Sequence, residues 1–230
     1  MEYTDRQIFL LGNDPSQRNP YVVHNKQINQ NIMAQYDDVN DLLLKLSYLG
    51  FEKDKYTGAI LIGKDPNPLY RNGWLNYTYP TVTSVEIDKI EDATKKTVPA
   101  SYVQFITEYS NGLKVLGEAL CLFGYRYDYI RDMEHVWQPY SIIEVNKYKY
   151  ERPLNAEKDM FFIGAYGWDG SHLYMTPDQR VHFCRRNDSQ SLISWDSLHS
   201  MLISEIERLY PLFDSTGLKI DRSKPTTPVE

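Results

Sequence analysis

Four stretches of the chain repeat apolar residues at three- and four-residue steps, and each predicts a helix with one buried face. Ile32, Tyr36, Val39, Leu43, Leu46 and Leu49 mark the first, over about residues 29–49. Ile87, Ile90 and Ala93 or Thr94 mark the second, with Ser84 placed as its N-cap and Glu86 in its first turn. Tyr102, Phe105, Ile106 and Tyr109 mark the third. Pro99 opens it, since a proline's missing N–H costs nothing at a first helical position, and Asn111-Gly112 closes it. Trp195, Leu198, Leu202, Ile206 and Leu209 mark the last, which Pro211 ends.

Between the helices the pattern shortens to strand-like runs. Residues 59–62, Ala119–Phe123, Ser141–Val145 and Met160–Gly164 are predicted strands. His172–Met175 and Val181–Cys184 flank a Pro-Asp loop and predict a hairpin. Leu69–Pro80 is turn-rich and aromatic, with no clear period. Helices followed by strands and a closing helix predict an α+β fold, with helices packed on a mainly antiparallel β-sheet. Residues 1–80 are expected to form an N-terminal elaboration, residues 81–214 the main domain, and residues 215–230 a flexible tail poor in apolar side chains.

Composition narrows the function classes. With 42% hydrophobic residues in 230, the chain is foldable and not wholly disordered. It carries 25 basic against 31 acidic residues, net −6, which argues against a broad nucleic-acid-binding face. The acidity is local: residues 81–214 hold 14 basic and 20 acidic groups, while residues 1–80 are net −1 and residues 215–230 net +1. Two cysteines, Cys121 and Cys184, cannot frame a disulfide scaffold. No apolar run reaches the ~18–20 residues of a membrane span, and no secretion signal opens the chain. A cytoplasmic location is expected.

Nineteen tyrosines stand out against 8 Phe and 4 Trp. Tyr125, Tyr127 and Tyr129 alternate, so on an extended segment they share one face. Exposed, they would make an adhesive patch of the kind found at interface centres; buried, one wall of the core. Trp137 and Tyr140 could extend the patch, and Asp128, Asp132 and Glu134 could meet a partner's Lys or Arg. Gly167-Trp168-Asp169-Gly170-Ser171-His172 is the most chemistry-like stretch, yet two glycines around an aspartate are also what a tight turn requires. No catalytic residue, metal site or cofactor is predicted. A hairpin loop centred between Asp178 and Gln179 pairs His172 with Arg185; a shift of one residue pairs it with Cys184 and groups it with His182. Two cysteines remain too few for the usual structural zinc.

Val98-Pro99-Ala100-Ser101-Tyr102-Val103-Gln104-Phe105-Ile106, followed by Tyr109-Ser110-Asn111-Gly112, resembles the opening of the SUKH superfamily. That superfamily includes the fungal Smi/Knr-type cell-wall assembly regulator and many bacterial immunity proteins. Leu122-Phe123-Gly124, Phe161-Phe162-Ile163-Gly164, Gly167-Trp168-Asp169-Gly170, Val181–Arg185 and Trp195–Leu209 agree with the family in order, over about residues 83–214. Leu113 replaces the second glycine that often follows Asn-Gly, and the first 80 residues have no counterpart. The resemblance implies a SUKH-like α+β fold and a binding protein rather than an enzyme. Bacterial members neutralise a co-produced toxin, often a nuclease or deaminase, and an acidic inhibitor is steered to such a toxin's basic cleft. A cognate toxin is thus the expected partner, with Tyr125, Tyr127, Asp128, Tyr129, Asp132, Glu134, Trp137, Trp168 and Asp169 as candidate contacts. A regulatory scaffold of the fungal type is the alternative, and an enzyme using Asp169 and His172 the least supported reading.

Overall fold

The computed structural model describes residues 36–67, 73–130 and 135–229. Within them the chain forms an α+β fold: one open antiparallel sheet of nine strands, with five α-helices. The elements run α1 (Asp37–Leu44), β1 (Phe51–Lys53), β2 (Ile60–Lys64), β3 (Trp74–Thr78), α2 (Ser84–Thr94), α3 (Ala100–Glu108), β4 (Leu113–Val115) and β5 (Leu120–Leu122). They continue with α4 (Ile142–Lys147), β6 (Phe161–Ala165), β7 (His172–Met175), β8 (Val181–Arg185), β9 (Asp188–Trp195) and α5 (Leu198–Leu209). Strand order in the sheet equals strand order in the chain, so every strand pairs with its predecessor.

The helical stripes pack where their spacing places them. Val39 and Leu43 of α1, Ile90 of α2, Tyr102, Phe105 and Ile106 of α3, and Met201, Leu202 and Ile206 of α5 are buried in one core with Leu113, Leu120, Phe162 and Phe183 of the sheet. The expected helix at about 29–49 is described only from Tyr36 onward; its α-helical part stops at Leu44, and Ser47–Leu49 form a 3-10 turn. Thr83, not Ser84, precedes α2. Glu86 accepts a bond from the Thr83 N–H at 3.0 Å, and this with the Thr83 hydroxyl holds its carboxyl below the usual range. The short strand expected at about 59–62 lies at Ile60–Lys64.

Four local expectations are corrected. Ser141–Val145 is not a strand but the start of α4. The Ser141 hydroxyl caps it, accepting from Glu144 N at 3.3 Å, and Ile142 and Val145 share its buried side. Trp195 belongs to β9, not the last helix, which starts at Leu198 under a Ser197 cap. Strand β3 falls in the stretch that looked like turns. Its buried Asn76 breaks the apolar pattern but is satisfied: its amide donates to Leu43 O at 3.0 Å and accepts from Leu116 N at 2.9 Å. Residues 215–229 are not a loose tail. Arg208, which also binds buried Glu205, donates to Thr226 O at 2.7 Å, and Thr226 and Thr227 are buried.

No break in the sheet marks the boundary expected at residue 80. Strand β3 pairs with β4 through Tyr77 to Lys114 and Thr78 to Leu113. Deleting residues 1–80 therefore strips three strands from one sheet and uncovers Leu113 and Val115. The deletion should abolish the cooperative thermal transition seen by circular dichroism. A soluble fragment 81–230 that melts like the whole chain would show the two parts to be independent.

Candidate functional site

The loop between β5 and α4 builds the site, and a buried asparagine sets its position. Asn111, just after α3, accepts from Tyr125 N at 2.7 Å and donates to Tyr125 O at 2.8 Å. One side-chain amide thus replaces the strand partner that Tyr125 lacks. Gly124 lets the two segments approach: a Cβ there would lie 2.3 Å from Asn111 O. Gly112 has φ +89°, and a Cβ on it would meet Leu122 O at 2.8 Å.

Beyond Tyr125 the loop closes on itself. Gln138 accepts from Tyr127 N at 3.0 Å and donates to Asp128 Oδ1 at 3.2 Å and His135 O at 3.1 Å. Asp128 Oδ1 also receives Ile130 N at 3.0 Å, while Oδ2 faces His135 Nε2 at 3.9 Å. Arg126 donates to Asp128 O at 2.7 Å. The loop carries Trp137 across the sheet face opposite the helices. There its ring lies 5.4 Å from that of Tyr77 and covers a second apolar cluster of Ala59, Leu61, Trp74 and Tyr79.

The result is a cleft of about 410 Å³. Tyr56 and Thr57 of the β1–β2 turn form one wall, Tyr79 and Pro80 the floor side, and Tyr127, Asp128, His135 and Trp137 the other wall. Asp54 shapes the first wall by accepting from Thr57 N at 2.7 Å and Tyr56 N at 3.1 Å. Tyr127 is 61% exposed and Tyr56 51% exposed, so two aromatic faces flank the mouth in contact with solvent. Partial burial, followed by the Glu86 carboxylate, raises the Tyr127 hydroxyl's pKa above its ordinary value. Such a trough can seat an apolar or aromatic anchor, with Asp128 and His135 at its polar end.

The structure divides the residues expected at the site. Tyr127, Asp128 and Trp137 line the cleft. Tyr125 and Tyr127 touch edge to face at 5.1 Å, with Tyr125 half-buried beneath the Lys89 ammonium. Tyr129 does not join them: its ring lies under the Arg126 guanidinium at 5.2 Å, and residues 125–130 form no strand. Asp128 is used by the loop itself, so it is not the free anion the composition led one to expect. Asp132 and Glu134 lie outside the described residues. Trp168 and Asp169 stand apart, on the β6–β7 turn, where Trp168 lies under Lys219 at 4.0 Å and Asp169 accepts from Ser171 N at 2.8 Å. Tyr56, Tyr79, His135 and Gln138 were not foreseen. The aromatic density of Leu69–Pro80 was the one sign of Tyr79.

His172 pairs with Cys184, and Tyr174 with His182, because five residues, Thr176–Arg180, form the hairpin loop. Burial, followed by the Arg186 guanidinium, pushes the His172 imidazolium down to about 4, against an opposing pull from Asp169. Its Nδ1 is buried without a partner. Among the described residues, no three His, Cys, Asp or Glu side chains are grouped to hold a metal ion, and no helix is long and apolar enough to cross a membrane. Compared with known family models, curated proteins and solved structures, the chain matches none at a significant level.

Two predictions follow from these contacts. Asn111→Ala leaves the N–H and C=O of Tyr125 without partners and should cost about 2–4 kcal/mol in urea unfolding, with new proteolytic cleavage within residues 125–139. Tyr127→Ala should cost about 0.5 kcal/mol or less. For His172 the folded pKa lies below the unfolded value near 6.5, so the unfolded state binds more protons in between. Stability should fall as pH drops from about 6.5 to 4, and His172→Gln should flatten that slope; an unchanged slope would exclude His172 as its source.

Proposed function

We propose that this chain is a non-enzymatic immunity-type protein of SUKH character, which binds and neutralises a cognate protein toxin through the aromatic cleft. The observation that carries this reading is the cleft wall: Tyr127 and Trp137 sit on a loop anchored by Asn111 and closed by Gln138. An exposed Tyr beside a half-buried Trp on a hydrogen-bonded loop loses little entropy when a partner covers it, which is how binding hot spots are built. The exposed Ile130, Val136 and Tyr140 widen the apolar surface around it. The acidity of residues 81–214 supports a basic partner, steered in by charge and held by aromatic contact. The Asn-Gly and Gly124 that carry the SUKH resemblance are the residues that seat this loop, which ties the resemblance to the site.

An adaptor of the Smi/Knr type with a separate N-terminal docking part gains no support, since Tyr56 and Tyr79 contribute to the same cleft as Tyr127. An enzyme built on Asp169 and His172 is also disfavoured: Asp169 is spent on its turn and His172 is buried.

Co-expression with the toxin encoded by the adjacent reading frame tests the proposal. The native chain should restore growth, and Tyr127→Ala should lose at least about ten-fold in affinity while melting within a few degrees of the native chain. Growth no better than with an empty vector would overturn the immunity reading. Full protection by the folded Tyr127→Ala variant would instead remove the cleft as the contact surface.

A further inference from the structure

A second hollow, sharing no lining residue with the aromatic cleft, has the opposite character. It lies between the α2–α3 connector and the segment after α4, with a volume of about 380 Å³. Lys95, Lys96, Lys149, Arg152 and Lys158 line it against a single carboxylate, Glu157. This gathers five cations in a chain of net −6.

Two of those cations are fixed by the backbone. Arg152 Nη1 donates to Val145 O and Asn146 O, both at 2.8 Å, and so caps the C-terminal carbonyls of α4. Among the described residues its Nε and Nη2 make no hydrogen bond, which leaves one edge of the guanidinium fork for a ligand. Lys96 Nζ donates to Met160 O at 2.6 Å. Among the described residues neither cation forms an ion pair, and nor do Lys149 and Lys158; Lys95 pairs with Asp92 at a loose 3.9 Å. Burial, then repulsion from Arg152, pulls the Lys96 ammonium down to about 8, only partly countered by Asp159. Two like charges are therefore held by neutral carbonyls, with only partial relief from Asp159.

We propose that this hollow is a binding site for a phosphoryl-class oxyanion, received by the free edge of Arg152 and by Lys96, with Lys149 and Lys158 closing around its outer oxygens. An oxyanion supplies what the site lacks: negative charge, several acceptors and a planar match to the guanidinium fork. The stacked pair Tyr148 and Tyr150, 5.4 Å apart and flanking Lys149 in sequence, offers an aromatic face beside it. The same chemistry is presented by a soluble phosphate ester and by an anionic lipid headgroup.

Isothermal titration of the full chain with sodium pyrophosphate at constant ionic strength is the first arm. One saturable site is expected. Lys96→Gln should weaken it at least about ten-fold, and Lys149→Gln with Lys158→Gln several-fold, while Lys53→Gln on β1 leaves it unchanged. The second arm is co-sedimentation with phosphatidylcholine vesicles with and without phosphatidylserine. Pyrophosphate binding alone assigns a soluble ligand; sedimentation with the anionic vesicles, lost in the same variants, assigns a headgroup. No saturable binding in either arm would overturn the proposal. So would an affinity unmoved by the Lys149 and Lys158 double variant, whose exposed side chains leave the packing intact.

Discussion

The amide of Asn111 is the contact on which the aromatic face depends. Past Phe123 the chain leaves the sheet, and a departing segment needs partners for its N–H and C=O groups. Asn111 supplies both for Tyr125 from a buried position at the end of α3. The Tyr102 hydroxyl, one helix face away, bonds Phe123 O and so fixes the point of departure. Gly112 and Gly124 let these segments touch backbone to backbone. Everything that follows in the loop, including the Gln138 closure and the placement of Trp137, is built from that start.

Where burial and period coincide, the fold was legible in the sequence. The stripe of α3 and the apolar run of β6 are core because nothing else could satisfy them. Segments whose structure comes from distant partners were not legible. Ile142, Ile143 and Val145 favour a strand by local preference, yet Ser141 caps a helix there and Asn146 bonds both Phe162 N and Phe162 O, tying α4 to β6 through a distant partner. Strand β9 is an edge strand that is polar over Asp188–Ser191, and its apolar residues Leu192, Ile193 and Trp195 do not keep a period of two, so alternation does not reveal it. The site divides in the same way. Tyr127 and Trp137 announce themselves by type and neighbourhood. Tyr56 and Tyr79 join them only because β2 and β3 extend the same sheet, a pairing that no local pattern records.

The two surfaces proposed for binding use contrasting physics. The cleft presents uncharged rings on a loop whose polar groups are largely spent on one another. The basic hollow presents charges that the fold has left unpaired. Both use the same device: side chains donate to or accept from backbone groups that secondary structure would otherwise leave unsatisfied. The net charge of the chain conceals this, because it averages an acidic surface with a local basic one.

The sequential order of the nine strands has a consequence for how such a chain is made and altered. Each strand's neighbour has already left the ribosome when the strand itself emerges, so the sheet can grow from one rim to the other without threading. A strand gained or lost at either rim would leave every interior pairing as it was. The β1 rim, which carries one wall of the cleft, is therefore the place where a lineage could remodel what is recognised while keeping the core unchanged.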